Sequence, residues 1–271
     1  LVHDAVDPTA YTVEMWVKPA SAAQQYLFVR TLAATPESYK SHMMGISADG
    51  KFEHYTWDGN PHTVTGTTTV QAGTWYHVAI TAENAGVMRL FVNGIEEGVA
   101  QSIGTLWTDG DCYQIGADGA LFVEYGGQID EVRLWNVARS QAEITGAYGS
   151  LAGNESGLVG YWRLDEGSGT ITGDGSGNGK TGTLMNSPTW GTSDAPVESP
   201  VFSAAPSSHD FGSLLIGRSA QQTFTVSNTG GGFLNISSVT PPDGEYSVTP
   251  SSANIPAGGS QIFTLTFTPV T

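Results

Sequence analysis

Cysteine is nearly absent from this chain, and basic residues are few. Cys112 is the one cysteine among 271 residues, which excludes an intrachain disulfide and a cluster of thiolate metal ligands. Ten Lys and Arg residues stand against 26 Asp and Glu residues, for a formal net charge of −16. A surface of that charge repels phosphate groups, so we expect no nucleic-acid partner. No apolar run approaches the roughly 18 residues that cross a bilayer, so we expect no membrane insertion.

Motifs for nucleotide binding, zinc binding and nucleophilic catalysis are also missing. The chain contains no H-E-x-x-H, C-x-x-C or G-x-S-x-G pattern. The stretch that ends in Gly179-Lys180-Thr181 would be a phosphate-binding loop only with glycine at position 174. Asp174 stands there instead, and its carboxylate would repel the phosphates that such a loop holds.

The sequence does contain many short runs in which apolar and polar residues alternate. In the first of them, Tyr11, Val13, Met15 and Val17 share one face. Such period-2 runs, separated by turn residues, predict the strands of an all-β sandwich. Further runs of this kind are 26–32, 42–47, 51–57, 75–82, 87–93, 128–135 and 158–164, and, later in the chain, 219–227, 234–239 and 260–267.

One short helix and one domain boundary interrupt this pattern. Ser140 and Glu143 form a capping box that predicts a helix beginning near Ser140. Residues 187–200 are rich in Pro, Ser and Thr and lack periodicity. We therefore place one domain at 1–196 and a second at 197–271.

Several segments of the first domain resemble the laminin G-like and pentraxin-like branch of the concanavalin A superfamily. They are YTVEMWVKP (11–19), TWYHVAIT (74–81), LFVNG (90–94), GQIDEVRLWNVARSQAEI (127–144) and the stretch 157–184. The resemblance implies a concanavalin A-like jelly roll sandwich. It also implies recognition of carbohydrate or another surface ligand outside a cell.

The second domain resembles immunoglobulin-like modules that are repeated in bacterial surface proteins. The matching segments are 206–239 and 255–269. In that family a further strand follows the FTP segment, so the resemblance implies a smaller, incomplete immunoglobulin-like β-sandwich. We expect the strand at 260–267 to have an open edge that pairs with a neighbouring copy or another domain of the same surface protein.

Asp130 lies where the glucanases that share this fold carry E-[IL]-D-x-x-E. Gln128 and Arg133 replace the two glutamates that glycoside cleavage requires, so we expect no enzyme. Asp130 then either caps a neighbouring loop or ligates a cation.

A calcium-binding loop is one interpretation of residues 174–179. Asp174, Ser176 and Asn178 place side-chain oxygens at alternate positions, as calcium loops do, with Asp130 or Asp165 as remote partners. The glutamate expected at the twelfth position is replaced by Met185. The alternative is a turn in which these side chains bind their own backbone.

Aromatic residues beside polar turns form a candidate ligand site. Trp57 and Trp107 adjoin such turns, as do Asp109 and Asp111, and Tyr125 is a weaker candidate. An aromatic ring beside carboxylates can stack on a sugar, but it more often anchors a loop. The sequence thus favours an extracellular adhesion or recognition module. Ca²⁺ is its candidate cofactor. The alternative is a structural repeat of a surface stalk, layer or filament without a small ligand.

Overall fold

The computed structural model describes residues 2–3, 9–32, 42–107, 110, 112–117, 124–149, 151–197, 200–230, 233–256 and 258–270. The chain divides into two compact units, Leu1–Ala195 and Pro196–Thr271. Two of the predicted ligand residues, Asp109 and Asp111, lie outside the described residues.

The regular secondary structure described in the first unit is almost wholly strand. In chain order they are β1 (Val2–His3), β2 (Ala10–Pro19), β3 (Gln25–Thr31), β4 (His42–Ile46), β5 (Lys51–Trp57), β6 (Pro61–Thr69), β7 (Tyr76–Glu83), β8 (Val87–Val92), β9 (Ile95–Ser102), β10 (Cys112–Ile115), β11 (Gly127–Trp135), β12 (Leu158–Trp162), β13 (Ile171–Thr172) and β14 (Gly182–Thr183).

Twelve of these strands form two antiparallel sheets of six. The front sheet has the order β1-β10-β3-β4-β5-β6, and the back sheet has the order β12-β11-β2-β7-β8-β9. The strands β13 and β14 pair separately. Two facing antiparallel sheets confirm the predicted all-β jelly roll sandwich.

The apolar core lies between the two sheets, where the alternating pattern places it. In the back sheet Met15 and Ile80 are fully buried, and in the front sheet Met44 and Phe52 are. Their alternate neighbours point away from the core, so each sheet also has an outer face. Burying side chains of this size contributes about 1.5–3 kcal/mol each, which makes this layer the main stabilising element.

The predicted helix is present as α1 (Gln141–Thr145). The Ser140 hydroxyl accepts a hydrogen bond from the Glu143 amide, and the Glu143 carboxylate accepts one from the Ser140 amide. Ile144 on the helix packs against Ala79 and Phe91 on the outer face of the back sheet. The helix therefore covers part of that face.

The second unit is a smaller sandwich. Its strands are β15 (Phe202–Ala205), β16 (Ala220–Asn228), β17 (Phe233–Ile236), β18 (Tyr246–Thr249), β19 (Ala253–Pro256) and β20 (Ser260–Phe267). One sheet has the order β15-β16-β20-β18, and β17 pairs with β19. Val226, Ile255 and Phe263 form its buried centre.

The expected open edge at residues 260–267 is wrong for the second half of that strand. The strand β16 pairs with the whole of β20, and β18 pairs with residues 264–267 on the other side. The backbone N–H and C=O groups on both sides of residues 264–267 are thus used by the same chain. The alternation pattern correctly located this strand but could not show which strands lie beside it.

Candidate functional site

Trp57 and Trp107 come together at one end of the front sheet. Trp57 is the last residue of β5, and Trp107 lies in the segment that follows β9. The Trp107 amide donates to the Trp57 carbonyl at 3.3 Å. The two indole ring centres are 6.1 Å apart with the ring planes inclined by 48°. Both side chains are half-buried, so the pair forms a partly exposed aromatic surface.

Asp58 holds the two segments that carry the tryptophans against each other. One oxygen of its carboxylate accepts from the Gly104 amide at 2.5 Å and lies 3.0 Å from the His62 ring nitrogen. The other accepts from the Asn60 amide at 3.0 Å. These hydrogen bonds hold the pKa of Asp58 below its usual range, and the bond from the Gly104 amide has the largest effect. Asp58 therefore positions the tryptophan pair and is not a free ligand group.

A buried pair of side chains supports Trp107 from below. The Trp107 carbonyl accepts from the Arg30 guanidinium at 3.1 Å and from the His42 Nε2 at 3.1 Å. Burial, together with the nearby Arg30 charge, lowers the pKa of His42 to about 3, so the ring is neutral. Its Nδ1 then accepts from the Thr56 hydroxyl at 2.6 Å, which assigns the proton to Nε2.

Tyr125 does not join this pair. The amide of its neighbour Gly126 donates to the Gln25 side chain at the beginning of β3, whereas Trp107 is bound through Arg30 near the end of β3. Tyr125 therefore lies at the opposite end of the front sheet. Its hydroxyl donates to the Gln128 carbonyl at 3.1 Å, and burial raises its pKa.

The predicted calcium loop uses its polar atoms on itself. One oxygen of Asp174 accepts from the Tyr161 amide at 3.0 Å, the Ser176 amide at 2.9 Å and the Ser176 hydroxyl at 2.6 Å. The other accepts from the Lys180 amide at 2.9 Å. The Asn178 side chain donates to the Ser176 hydroxyl and to the Leu158 carbonyl. This donor set fits the turn interpretation better than a calcium ion, and calcium binding stays a prediction.

Asp130 and Asp165, the two remote partners in the calcium interpretation, lie near Glu131. Burial raises the pKa of both aspartates, and the negative charge of Glu131 raises it further by a smaller amount. Asp130 accepts from the Glu131 amide at 2.8 Å. Within the described part of the chain, no group of three or more His, Cys, Asp or Glu side chains could hold a metal ion.

The outer face of the back sheet is covered at the position of the glucanase-like segment. Arg133 is completely buried, with one Nη bound to the Ala147 carbonyl and the other 2.5 Å from the Glu131 carboxylate. The Ser193 side chain also hydrogen-bonds Asp130. The chain itself therefore fills the space over Arg133, and of the two replaced glutamate positions only Gln128 is exposed.

Sequence reasoning missed a stripe of residues that leads away from Trp57. Along β5, the inward residues Phe52, His54 and Thr56 are buried, whereas Glu53, Tyr55 and Trp57 are half-buried on the outer face. Lys51, at the start of β5, also lies on this outer face. The alternation in the run 51–57 was a signal for this stripe, but only the pairing of the strands shows what lies beside it.

A sandwich of two six-stranded antiparallel sheets is the architecture of lectin-type jelly rolls, and the sequence comparison agrees. Residues 1–145, more than half of the chain, match the concanavalin A-like lectin/glucanases superfamily, and the chain belongs to this family. Residues 200–271 match the HYDIN/CFA65/VesB-like, Ig-like domain. No curated protein matches the sequence.

Solved structures with the same fold include a candidate carbohydrate-binding protein from Bacteroides ovatus ATCC 8483. It is 20% identical with a TM-score of 0.52, and the match covers 69% of this chain and 58% of that protein. The chain thus spans less than two thirds of this relative.

Two more distant structures are domains of bacterial enzymes. Domain 4 of an arabinanase from Geobacillus stearothermophilus, in complex with arabinotriose, is 20% identical with a TM-score of 0.43, covering 54% of this chain and 69% of that one. The CBM40 of a Ruminococcus gnavus sialidase, bound to α2,3 sialyllactose, is 19% identical with a TM-score of 0.42, covering 50% and 80%. Among the described residues, no helix is long and apolar enough to cross a membrane.

Proposed function

We propose that this protein is an extracellular or cell-surface recognition module that binds carbohydrate through Trp57 and Trp107. The observation that carries the proposal is the half-buried pair of indoles, 6.1 Å apart, held by Asp58 and supported by Arg30. Inclined aromatic faces pack against the C–H faces of a sugar ring, while indole N–H groups donate to its hydroxyls. The carbohydrate-binding assignment of the Bacteroides ovatus relative supports the same ligand class.

The module acts without catalysis in this proposal. Glycoside cleavage requires two carboxyl groups on either side of the bond, and Gln128 and Arg133 stand at the positions compared with the glucanases. Arg133 is buried in an ion pair with Glu131 instead of lining a cleft. Asp109 and Asp111 adjoin the tryptophan pair in sequence and remain predicted ligand residues.

A glycan array followed by calorimetry tests the proposal. We expect Trp107→Ala and Trp57→Ala each to weaken binding about tenfold or more, since each removes a stacking surface. Trp190→Ala is the matched control. Trp190 is also half-buried, but its indole N–H donates to the Gly169 carbonyl and it is not a member of the tryptophan pair. Equal affinities of wild type, Trp107→Ala and Trp57→Ala would contradict the proposed site.

The second unit favours an additional structural role, as a module that contacts neighbouring modules. It exposes several large apolar side chains, which offer apolar contact area to a neighbouring module. They are Phe202, Leu215, Ile216 and Ile262, at 61, 78, 71 and 55% exposure. Light scattering over a range of concentrations tests this role: self-association that Leu215→Ser reduces supports it, and a monomer at all concentrations contradicts it.

A further inference from the structure

The tryptophan pair stands at one end of a longer outward-facing stripe, defined here as Glu53, Tyr55 and Trp57 of β5. The three side chains alternate with buried residues and therefore point to the same side of the front sheet. Strand residues rise about 3.3 Å each, so Glu53 lies about 13 Å from Trp57 along the strand. That distance exceeds the size of one sugar ring.

A glycine and a tyrosine lie beside this stripe on the neighbouring strands. On one side Glu53 pairs with Gly45, which has no side chain, and Gly45 pairs in turn with Tyr26 of β3. A Cβ at Gly45 would lie 2.7 Å from the Gln25 carbonyl oxygen, so only glycine fits there. The Tyr26 ring lies over this glycine, with its Cδ1 3.6 Å from the position of the missing Cβ.

On the other side of β5 the surface is made of small hydroxyl residues. Thr65 pairs with Glu53, and Thr63 pairs with Tyr55. Both threonines are exposed. The outer face around Glu53 therefore combines two tyrosine rings, two hydroxyls and one carboxylate.

The Glu53 carboxylate forms no ion pair and no hydrogen bond with the residues that the structure describes. The side chain is nevertheless half-buried, and burial raises its pKa. The nearest cation on the same face, Lys51, donates to the Thr67 carbonyl at 3.3 Å.

We propose that the glycan site continues from the tryptophan pair over Tyr55 to Glu53, and that Glu53 selects chains of neutral sugars over acidic ones. This inference rests on the proposed carbohydrate function and specifies its ligand. A carboxylate only accepts hydrogen bonds, and neighbouring sugar hydroxyls are donors, so O–H···O⁻ bonds are charge-assisted. A sugar carboxylate at the same position would meet a like charge in a partly desolvated site, within a chain of net charge −16.

The test compares neutral hexasaccharides of glucose, mannose and galactose with the same six-residue chains oxidised to uronic acids at C6. We expect the wild type to bind at least one neutral chain at least tenfold tighter than its oxidised counterpart. Glu53→Gln should reduce this ratio about tenfold. Glu83→Gln should leave it unchanged, since Glu83 is an exposed acid at the end of β7 in the back sheet. Tyr55→Ala should weaken binding of the hexasaccharide but not of the matching disaccharide.

The outcomes separate this inference from the proposed function. If Trp107→Ala weakens binding while Glu53→Gln and Tyr55→Ala change neither the ratio nor the dependence on chain length, the inference is overturned and the tryptophan site stands. Tighter binding of the oxidised chains by the wild type would also overturn the inference and leave the tryptophan site standing. If the wild type binds no glycan on the array, the proposed function and the inference fail together.

Discussion

His54 links the two sheets of the first unit through hydrogen bonds that only its neutral ring can make. Its Nε2 accepts from the Tyr11 hydroxyl at 2.8 Å, and its Nδ1 donates to the Arg89 carbonyl at 2.9 Å. Burial lowers its pKa to about 3, against about 6.5 in an unfolded chain. The unfolded state therefore gains a proton more readily, and this contribution to stability is lost as pH falls from 6.5 towards 3.

We expect the titration of His54 to reduce the free energy of unfolding of the first unit by about 2 kcal/mol as the pH falls from 7 to 5. In His54→Gln this part of the pH dependence should disappear, while His209→Gln, an exposed histidine of the second unit, should keep it. All seven tryptophans lie in the first unit, so urea titrations followed by tryptophan fluorescence report on that unit. Equal pH dependence in wild type and His54→Gln would refute the assignment.

Asp174 is the residue at which the turn and calcium interpretations differ most clearly. Four donors converge on its carboxylate, and these hydrogen bonds lower its pKa although burial alone would raise it. The turn interpretation predicts that Asp174→Ala costs about 2 kcal/mol of stability with calcium or with a chelator. The calcium interpretation predicts that calcium, at 100 times its dissociation constant, adds about 2.7 kcal/mol to the stability of the wild type and nothing to that of Asp174→Ala. Thermal melts of both proteins in both buffers distinguish the two.

At the scale of elements, the edge strand β6 is closed by a side chain. Glu97 of β9 accepts from the Thr67 and Thr68 amides at 2.7 and 2.9 Å, occupying donors that would otherwise pair with another strand. Glu97→Ala frees these edge donors, so we expect self-association and a loss of about 1–2 kcal/mol in stability. Glu96→Ala is the matched control, because Glu96 only forms a surface ion pair with Arg89. Sedimentation that shows both variants monomeric would contradict the role of Glu97.

The same edge shows where sequence reasoning reaches its limit. The strands with alternating apolar residues were predicted, as was α1 from its capping box. The strands β6 and β9 were not, because a Thr-rich strand with Val64 as its one large apolar residue, and a polar strand with two glutamates, lack that alternation. Edge strands bury only part of one face, so their sequences carry a weaker signal.

The site was predictable only in part for a related reason. Trp57 and Trp107 were singled out one by one, from the turn residues beside them. Their contact across 50 positions depends on the strand order, which also places Tyr125 at the other end of the sheet. The position of Tyr26 beside Glu53, across Gly45, likewise follows from register and not from composition.

At the scale of the whole molecule, a jelly roll with an aromatic surface is joined in one chain to an immunoglobulin-like unit. In the function that we propose, the first unit recognises carbohydrate through Trp57 and Trp107. Other tryptophans provide internal references, because Trp16 and Trp162 are fully buried and their indole N–H groups donate to the Tyr148 and Lys180 carbonyls.

The most direct measurement is NMR of the protein labelled with ¹⁵N in its tryptophan side chains, titrated with a neutral hexasaccharide selected on the array. Single Trp→Phe variants assign the indole N–H signals. We predict that the Trp57 and Trp107 signals shift in proportion to saturation, while those of Trp16 and Trp162 stay in place. Saturable binding that leaves the Trp57 and Trp107 signals unmoved would contradict the account.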